Sequence, residues 1–305
     1  MFVEEYLQDL RRDRFAPAAM VLYARRVAGR VREHLYANPG AVRSVWTVAL
    51  TFFAGAFVAA VGMALWFDRH LAYDFFLQTA LWILPAFMLV TLHLGLLRDR
   101  DGFRLSALNL PLTLTLLRVS LIPGIILFLV ERHFTLALVS YLLAALTDVA
   151  DGWLARRWGQ VTRLGTILDP LVDIVFNLAL FAGLVTAGLL PRWVFTVAAL
   201  RYGILLVGGA YLYLFIGPVR IQATLFGRLT GVVTAALIGL LTLLHVLQGG
   251  LHERLLPLTE IALGVLMSAT VIQVVLLGWY NLRVMTGAAA AARGRVVGDV
   301  RWGAS

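Results

Sequence analysis

The chain has no cysteine and no lysine. Without cysteine, disulfides and thiolate metal sites are excluded. Without lysine, all 26 basic side chains are arginines, and against 17 acids they give a formal net charge of +9. Polar sequence is scarce as well. Of 305 residues, 61% are hydrophobic and only 14% charged, an apolar share well above that of a soluble domain. Residues Met1 to Gly40 are charged and contain no signal-peptide hydrophobic region. No compact basic domain with interleaved aromatics is present, so the arginine excess does not point to nucleic acid. In a membrane protein such an excess marks cytoplasmic loops and anionic lipid.

Repeated apolar runs of roughly twenty residues predict an all-α, polytopic integral membrane protein. The expected spans are 45–67, 75–97, 109–130, 136–158, 166–187, 193–216, 229–247 and 257–280. They divide the chain into a basic arm (1–44), a two-helix transmembrane extension (45–104), a six-helix core (105–285) and a tail (286–305). In the arm, Leu7, Leu10, Phe15, Val21, Leu22, Val27 and Val31 recur at helical spacing among arginines. That pattern fits a helix on an anionic leaflet or a plain solvated helix. His93 is expected as a satisfied core histidine, and Ala288 to Ala292 either extends the last helix or frays.

Arginine placement gives an orientation. Twenty of the 26 fall in 1–44, 98–104, 156–163, 217–228 and 281–305, whereas Arg69, Arg132, Arg192 and Arg254 occupy the alternate loops. The positive-inside rule then places both termini in the cytoplasm. The membrane is expected to be the inner (cytoplasmic) one.

The concentration of acids is the unusual feature. Asp148, Asp151, Asp169 and Asp173 fall at the ends of two consecutive apolar runs joined by a short arginine-bearing turn. An ionised group at bilayer depth costs several kcal/mol on conservative scales, so each is a functional candidate. Asp148 and Asp151 are three apart and Asp169 and Asp173 four apart, so each pair shares a helix face. Antiparallel neighbours then point both pairs into one space. Carboxylate oxygens suit a hard cation, Mg²⁺ or Mn²⁺, and two such ions clamp a pyrophosphate and its leaving oxygen. Gly152, Ala155 and Gly165 leave room beside them, and Arg156 can neutralise phosphate charge. Arg118 lies roughly 10 Å along its helix from Pro111. It either snorkels to the headgroups or meets a carboxylate, and the acids of the next helix favour the second.

The run Asp148-x2-Asp151-Gly152-x2-Ala155-Arg156-x8-Gly165-x3-Asp169-x3-Asp173 resembles the signature of the CDP-alcohol phosphatidyltransferase family, with every fixed position present. Asn109-Leu-Pro-Leu-Thr-Leu-Thr115-Leu-Leu-Arg118 resembles the first helix of the bacterial phosphatidylglycerophosphate synthases. The resemblance covers about residues 105–285 and implies transfer of a substituted phosphoryl group from CDP-diacylglycerol to an alcohol, with release of CMP. It further implies that Asp148, Asp151, Asp169 and Asp173 bind metal, in keeping with the two ions read from the residues, and that Asp173 is also the general base. Asn109, Thr115, Arg118, Gly152, Ala155, Arg156 and Gly165 would bind the cytidine and pyrophosphate. A homodimer is implied too.

The acceptor side departs from the pattern. Ile174 stands where a lysine is usual, Tyr202 follows Arg201 where a glutamate is usual, and Gly227-Arg228-Leu229-Thr230 keeps one of two basic residues. Arg201, Arg220 and Arg228 are the candidates for an acceptor phosphate, with glycerol 3-phosphate the first choice, and inositol phosphate or another polar alcohol behind it. Rival readings are a transporter or a non-catalytic scaffold with an acidic cation site, and a membrane prenyltransferase. The last needs a second aspartate cluster, and after Asp173 only Glu253, Glu260 and Asp299 remain.

Overall fold

The computed structural model describes residue 12 and residues 16–211, 225–247 and 250–301. Among these residues run nine α-helices: α1 (Pro17–Ala37), α2 (Pro39–Trp66), α3 (Arg69–Leu92), α4 (Leu110–Val130), α5 (Phe134–Arg157), α6 (Arg163–Thr186), α7 (Arg192–Tyr211), α8 (Leu225–Leu247) and α9 (Gly250–Arg301). Eight of them, α2 to α9, carry a stretch long and apolar enough to cross a membrane. The chain is an all-α, multi-pass membrane protein.

The helices begin at polar caps rather than at the first apolar residue. Asn38 accepts the Ala41 N–H and Pro39 takes the first turn, so α2 starts six residues before the apolar run at Val45. Asp68 accepts from the His70 and Leu71 N–H groups at the start of α3. These bonds hold the Asp68 carboxyl below its ordinary value, the Leu71 bond being the largest contribution. Asn109 accepts from Leu112 N–H to open α4, and Thr162 from Gly165 N–H to open α6. One expectation fails here. His93 is exposed at the C-cap of α3, with Nδ1 2.8 Å from the Leu89 carbonyl oxygen. It is not a core residue, because α3 ends at Leu92 and a short 3₁₀ turn, Leu94–Leu96, follows. At the other end of the chain, α9 continues through Ala288–Ala292.

Helix α4 is the hub. Of its most apolar window 61% is buried, against 17–33% in the other seven spans. It packs on α3, α5 and α6; α5 also meets α8, α6 meets α7, and α9 closes on α7 and α8. Large apolar side chains on the outer faces, such as Leu50, Leu81, Leu146 and Ile261, stay exposed, as a lipid-facing surface requires. Pro123 lies inside α4 and has no N–H to offer Val119. The Trp82 indole N–H, from α3, donates to that Val119 carbonyl at 3.0 Å. A tertiary bond between extension and core thus replaces a missing helical one.

Two apolar clusters form. One joins Ile125, Phe128 and Leu129 of α4 to Phe181 and Leu184 of α6 and Leu263 of α9. There Gly124 admits the Phe75 ring, which stacks on Phe128 at 5.6 Å; a Cβ on Gly124 would stand 2.7 Å from that ring. The other cluster joins Ala41 and Val45 of α2 and Phe87 of α3 to Leu112 and Leu116 of α4 and Leu164 of α6. This second cluster takes in the first two turns of α4, through Leu112 and Leu116, and the start of α6 at Leu164, five residues before Asp169. The arm helix α1 meets the body at the 3₁₀ turn, where His34 presses on Gly95. Burial first, then Arg104 and Arg98, push the His34 imidazole below its ordinary value.

Candidate functional site

The acids do converge, and Arg118 stands among them. Its side chain is 3% exposed. Nη2 lies 2.6 Å from Asp148 Oδ1 and 2.5 Å from Asp151 Oδ2, and Nη1 lies 2.5 Å from Asp173 Oδ1. Helix α4 thus inserts one guanidinium between the carboxylates of α5 and those of α6. Asp169 joins through Thr115, whose hydroxyl is 3.2 Å from Asp169 Oδ1, from Asp151 Oδ2 and from its own-helix Pro111 carbonyl. One hydroxyl proton serves one of these three acceptors at a time.

The four acids differ in access. The Asp148 and Asp173 side chains are about half exposed, at 54% and 53%, while that of Asp151 is 11% exposed. Asp151 and Asp169 face inward, onto a cavity of about 180 Å³. Its walls also contain Asn109, Thr115, Gly152, Ala155, Arg156 and Gly165. These expected nucleotide-contacting residues therefore share one space, drawn from α4, α5 and α6. Arg118 does not line that cavity; it sits behind it, against the acids.

Local geometry accounts for the small residues. A Cβ on Gly152 would lie 3.3 Å from the Arg156 guanidinium, so the glycine lets Arg156 fold back along the wall. A Cβ on Gly165 would lie 3.1 Å from Thr162 Oγ1, the cap of α6. Asn109 does two tasks: its carbonyl side caps α4 and its amide donates to Gln160 O at 2.6 Å. The α5–α6 turn is thereby fastened to the start of α4. Gln160, Val161, Thr162 and Thr166 complete the wall. Little in the sequence marks these residues, because the turn residues Gln160 to Thr162 and Thr166 in the first turn of α6 carry no charge. One signal was there: Pro170 follows Asp169 and leaves the Thr166 carbonyl without its helical donor.

The acceptor candidates are not gathered in this way. Arg201 lies on α7 with its guanidinium 5.0 Å from the Tyr202 ring centroid and Nη1 3.8 Å from Met267 Sδ. It does not line the cavity. Arg220 and the side chain of Arg228 lie outside the described residues.

The donor set suits a hard divalent cation, since it is made of carboxylate oxygens alone. In the present arrangement no three acids close around one ion among the described residues, because Arg118 spans the gap between Asp148, Asp151 and Asp173. The space already holds a cation, and it is a side chain. Removing one partner of a buried charge network leaves the others uncompensated. Arg118→Met is therefore expected to lower stability by on the order of 3 kcal/mol. Added Mg²⁺ or Mn²⁺ should recover part of the loss. Thermal unfolding in detergent, with and without the metal, checks this; unchanged melting in the variant would contradict it.

Residues 108–292 match the family model for CDP-alcohol phosphatidyltransferase. Among curated relatives, the CDP-diacylglycerol–glycerol-3-phosphate 3-phosphatidyltransferase of Aquifex aeolicus is 46% identical over 70 residues, 23% of this chain and 39% of that protein. The Escherichia coli K12 protein of the same name is 44% identical over 95 residues, 30% of this chain and 51% of its own. The human cardiolipin synthase (CMP-forming) is 39% identical over 84 residues, 27% of this chain and 28% of that protein. The chain thus spans between about a quarter and a half of the length of these relatives. The matched region contains α4 to α8, most of α9 and every acid of the cluster, and on that ground the chain belongs to the CDP-alcohol phosphatidyltransferase family.

Proposed function

We propose that this chain transfers a phosphatidyl group from CDP-diacylglycerol to the hydroxyl of a small polar alcohol, glycerol 3-phosphate first, and releases CMP. The observation that carries the reading is the shared cavity. It sets Asn109, Thr115, Gly152, Ala155, Arg156 and Gly165 around Asp151 and Asp169, with the half-exposed Asp148 and Asp173 joined to them through Arg118.

Each residue has a task in that reaction. Asn109, Gly152, Ala155 and Gly165 shape the wall for the cytidine. Arg156 meets the pyrophosphate charge. Asp173 takes the proton of the acceptor hydroxyl as its oxygen bonds to the phosphatidyl phosphorus, and the bond from that phosphorus to the CMP oxygen breaks. Asp148, Asp151, Asp169 and Asp173 would hold Mg²⁺ or Mn²⁺, two ions, whose chemistry there would be to polarise the pyrophosphate and stabilise the leaving charge. For them to do so Arg118 must withdraw. Arg201, Arg220 and Arg228 remain the candidates for an acceptor phosphate. Relatives named cardiolipin synthase support a second acceptor class, in which the acceptor is itself a lipid.

Asp173→Asn is expected to cut CMP release by at least about a hundredfold, the usual contribution of a general base, in a protein that still folds. Undiminished turnover in that variant would remove Asp173 from the role.

The reaction is proposed at the cytoplasmic face of the inner membrane, in a homodimer, with both termini cytoplasmic. Twenty arginines against four support the orientation. Because the chain has no cysteine, single cysteines report alone. Arg157→Cys, in the exposed end of α5, should react with an impermeant maleimide only from the cytoplasmic side. Glu131→Cys, in the opposite turn, should react only from outside. The reverse labelling pattern would invert the topology.

A further inference from the structure

We propose that the two-helix extension, which in the structure comprises the Asn38 cap, α2, α3 and the loop to residue 104, is a clamp that sets both rims of the cavity, with Ser44 as the positioning residue on one of them. The proposal rests on the transferase reading of that cavity. The family match begins at residue 108, so the extension lies outside the region that carries the chemistry. Its bonds nevertheless reach Leu108 and Arg163, each next in sequence to a residue that lines the cavity.

The first rim is the entry to α4. The Leu108 N–H donates to Ser44 Oγ at 3.0 Å, and Asn38 Nδ2 donates to the Leu105 carbonyl at 2.7 Å. Leu108 precedes the helix, so no helical carbonyl is in reach of its N–H, and a part-buried amide requires a partner. The next residue, Asn109, caps α4 and reaches Gln160 across the cavity mouth. Ser44 thereby fixes the residue that ties the two sides of the mouth together.

The second rim is the entry to α6. The Arg163 N–H donates to the Arg98 carbonyl at 3.0 Å, in the loop that an Arg98–Arg104 bridge folds back on itself. Leu164 is 3% exposed and belongs to the apolar cluster with Ala41, Val45 and Leu97. Gly165, on the cavity wall, is the following residue. Both helix entries are places where backbone groups lack helical partners and fray, and the extension supplies the partners on both. Trp82 attaches the same extension to α4 at Val119, more than two turns beyond Asn109, which provides a control bond away from the mouth.

The test compares full-length Ser44→Ala, Ser44→Thr and Trp82→Phe with the parent chain in nanodiscs. Ser44→Ala is expected to weaken CMP binding by about fivefold, the scale of one lost hydrogen bond. KM for CDP-diacylglycerol should rise with it while kcat stays within about twofold, as for loss of uniform binding. Amide exchange over residues 106–112 should quicken in Ser44→Ala. Ser44→Thr, which keeps the hydroxyl, should restore all three readings. Trp82→Phe should lower the melting temperature and leave CMP affinity unchanged. Parent-like CMP affinity and exchange in Ser44→Ala would overturn the proposal, and so would an equal loss of CMP affinity in Trp82→Phe. Absence of CMP binding in the parent chain would instead overturn the transferase reading, with amide exchange still deciding whether Ser44 holds the rim.

Discussion

Arg118 in the midst of Asp148, Asp151 and Asp173 is the interaction on which the rest depends. Carboxylates gathered at the ends of apolar helices repel one another, and bringing α5 and α6 together requires positive charge between them. The arginine comes from α4, the most buried span, and its position fixes α4 between the two acidic helices. Thr115, one turn earlier on α4, brings Asp169 into the same network. The hub of the fold and the centre of the site are thus the same helix face.

That arrangement also shapes the chemistry. A guanidinium and a divalent cation want the same oxygens, so the acids hold one or the other at a given oxygen. Asp151 and Asp169 line the cavity, whereas Asp148 and Asp173 lie outside its lining and are about half exposed. Around this centre the extension adds a frame. Its apolar cluster and its loop bonds reach the entries of α4 and α6, two places where a helix start leaves backbone N–H groups without helical partners.

Much of this was legible in the sequence. Spans of roughly twenty apolar residues mark themselves, and the spacing of Asp148, Asp151, Asp169 and Asp173 places them on two faces before any coordinates. Helix ends were less legible: α2 begins at Pro39 because a cap and a proline start it, not hydrophobicity. His93 was misplaced because a lone histidine near the end of an apolar run carries no sign of where the helix stops. Arg118 was expected to meet a carboxylate, but its place at the centre of three depends on the register between α4, α5 and α6, which no single helix encodes. The bonds from Ser44 to Leu108 and from Arg98 to Arg163 join residues 64 and 65 positions apart, through a hydroxyl and backbone groups with no pattern to read.

The central claim is that the carboxylate centre and its adjoining cavity transfer a phosphatidyl group from a CDP-linked lipid. The most direct measurement is to incubate the purified chain in nanodiscs with CDP-diacylglycerol and Mg²⁺, add glycerol 3-phosphate, other polar alcohols or a lipid alcohol in turn, and follow CMP and the lipid product by mass. The account predicts equimolar CMP and phosphatidylated acceptor, largest with glycerol 3-phosphate and abolished by EDTA. No CMP and no phosphatidylated product with any hydroxyl acceptor would contradict it.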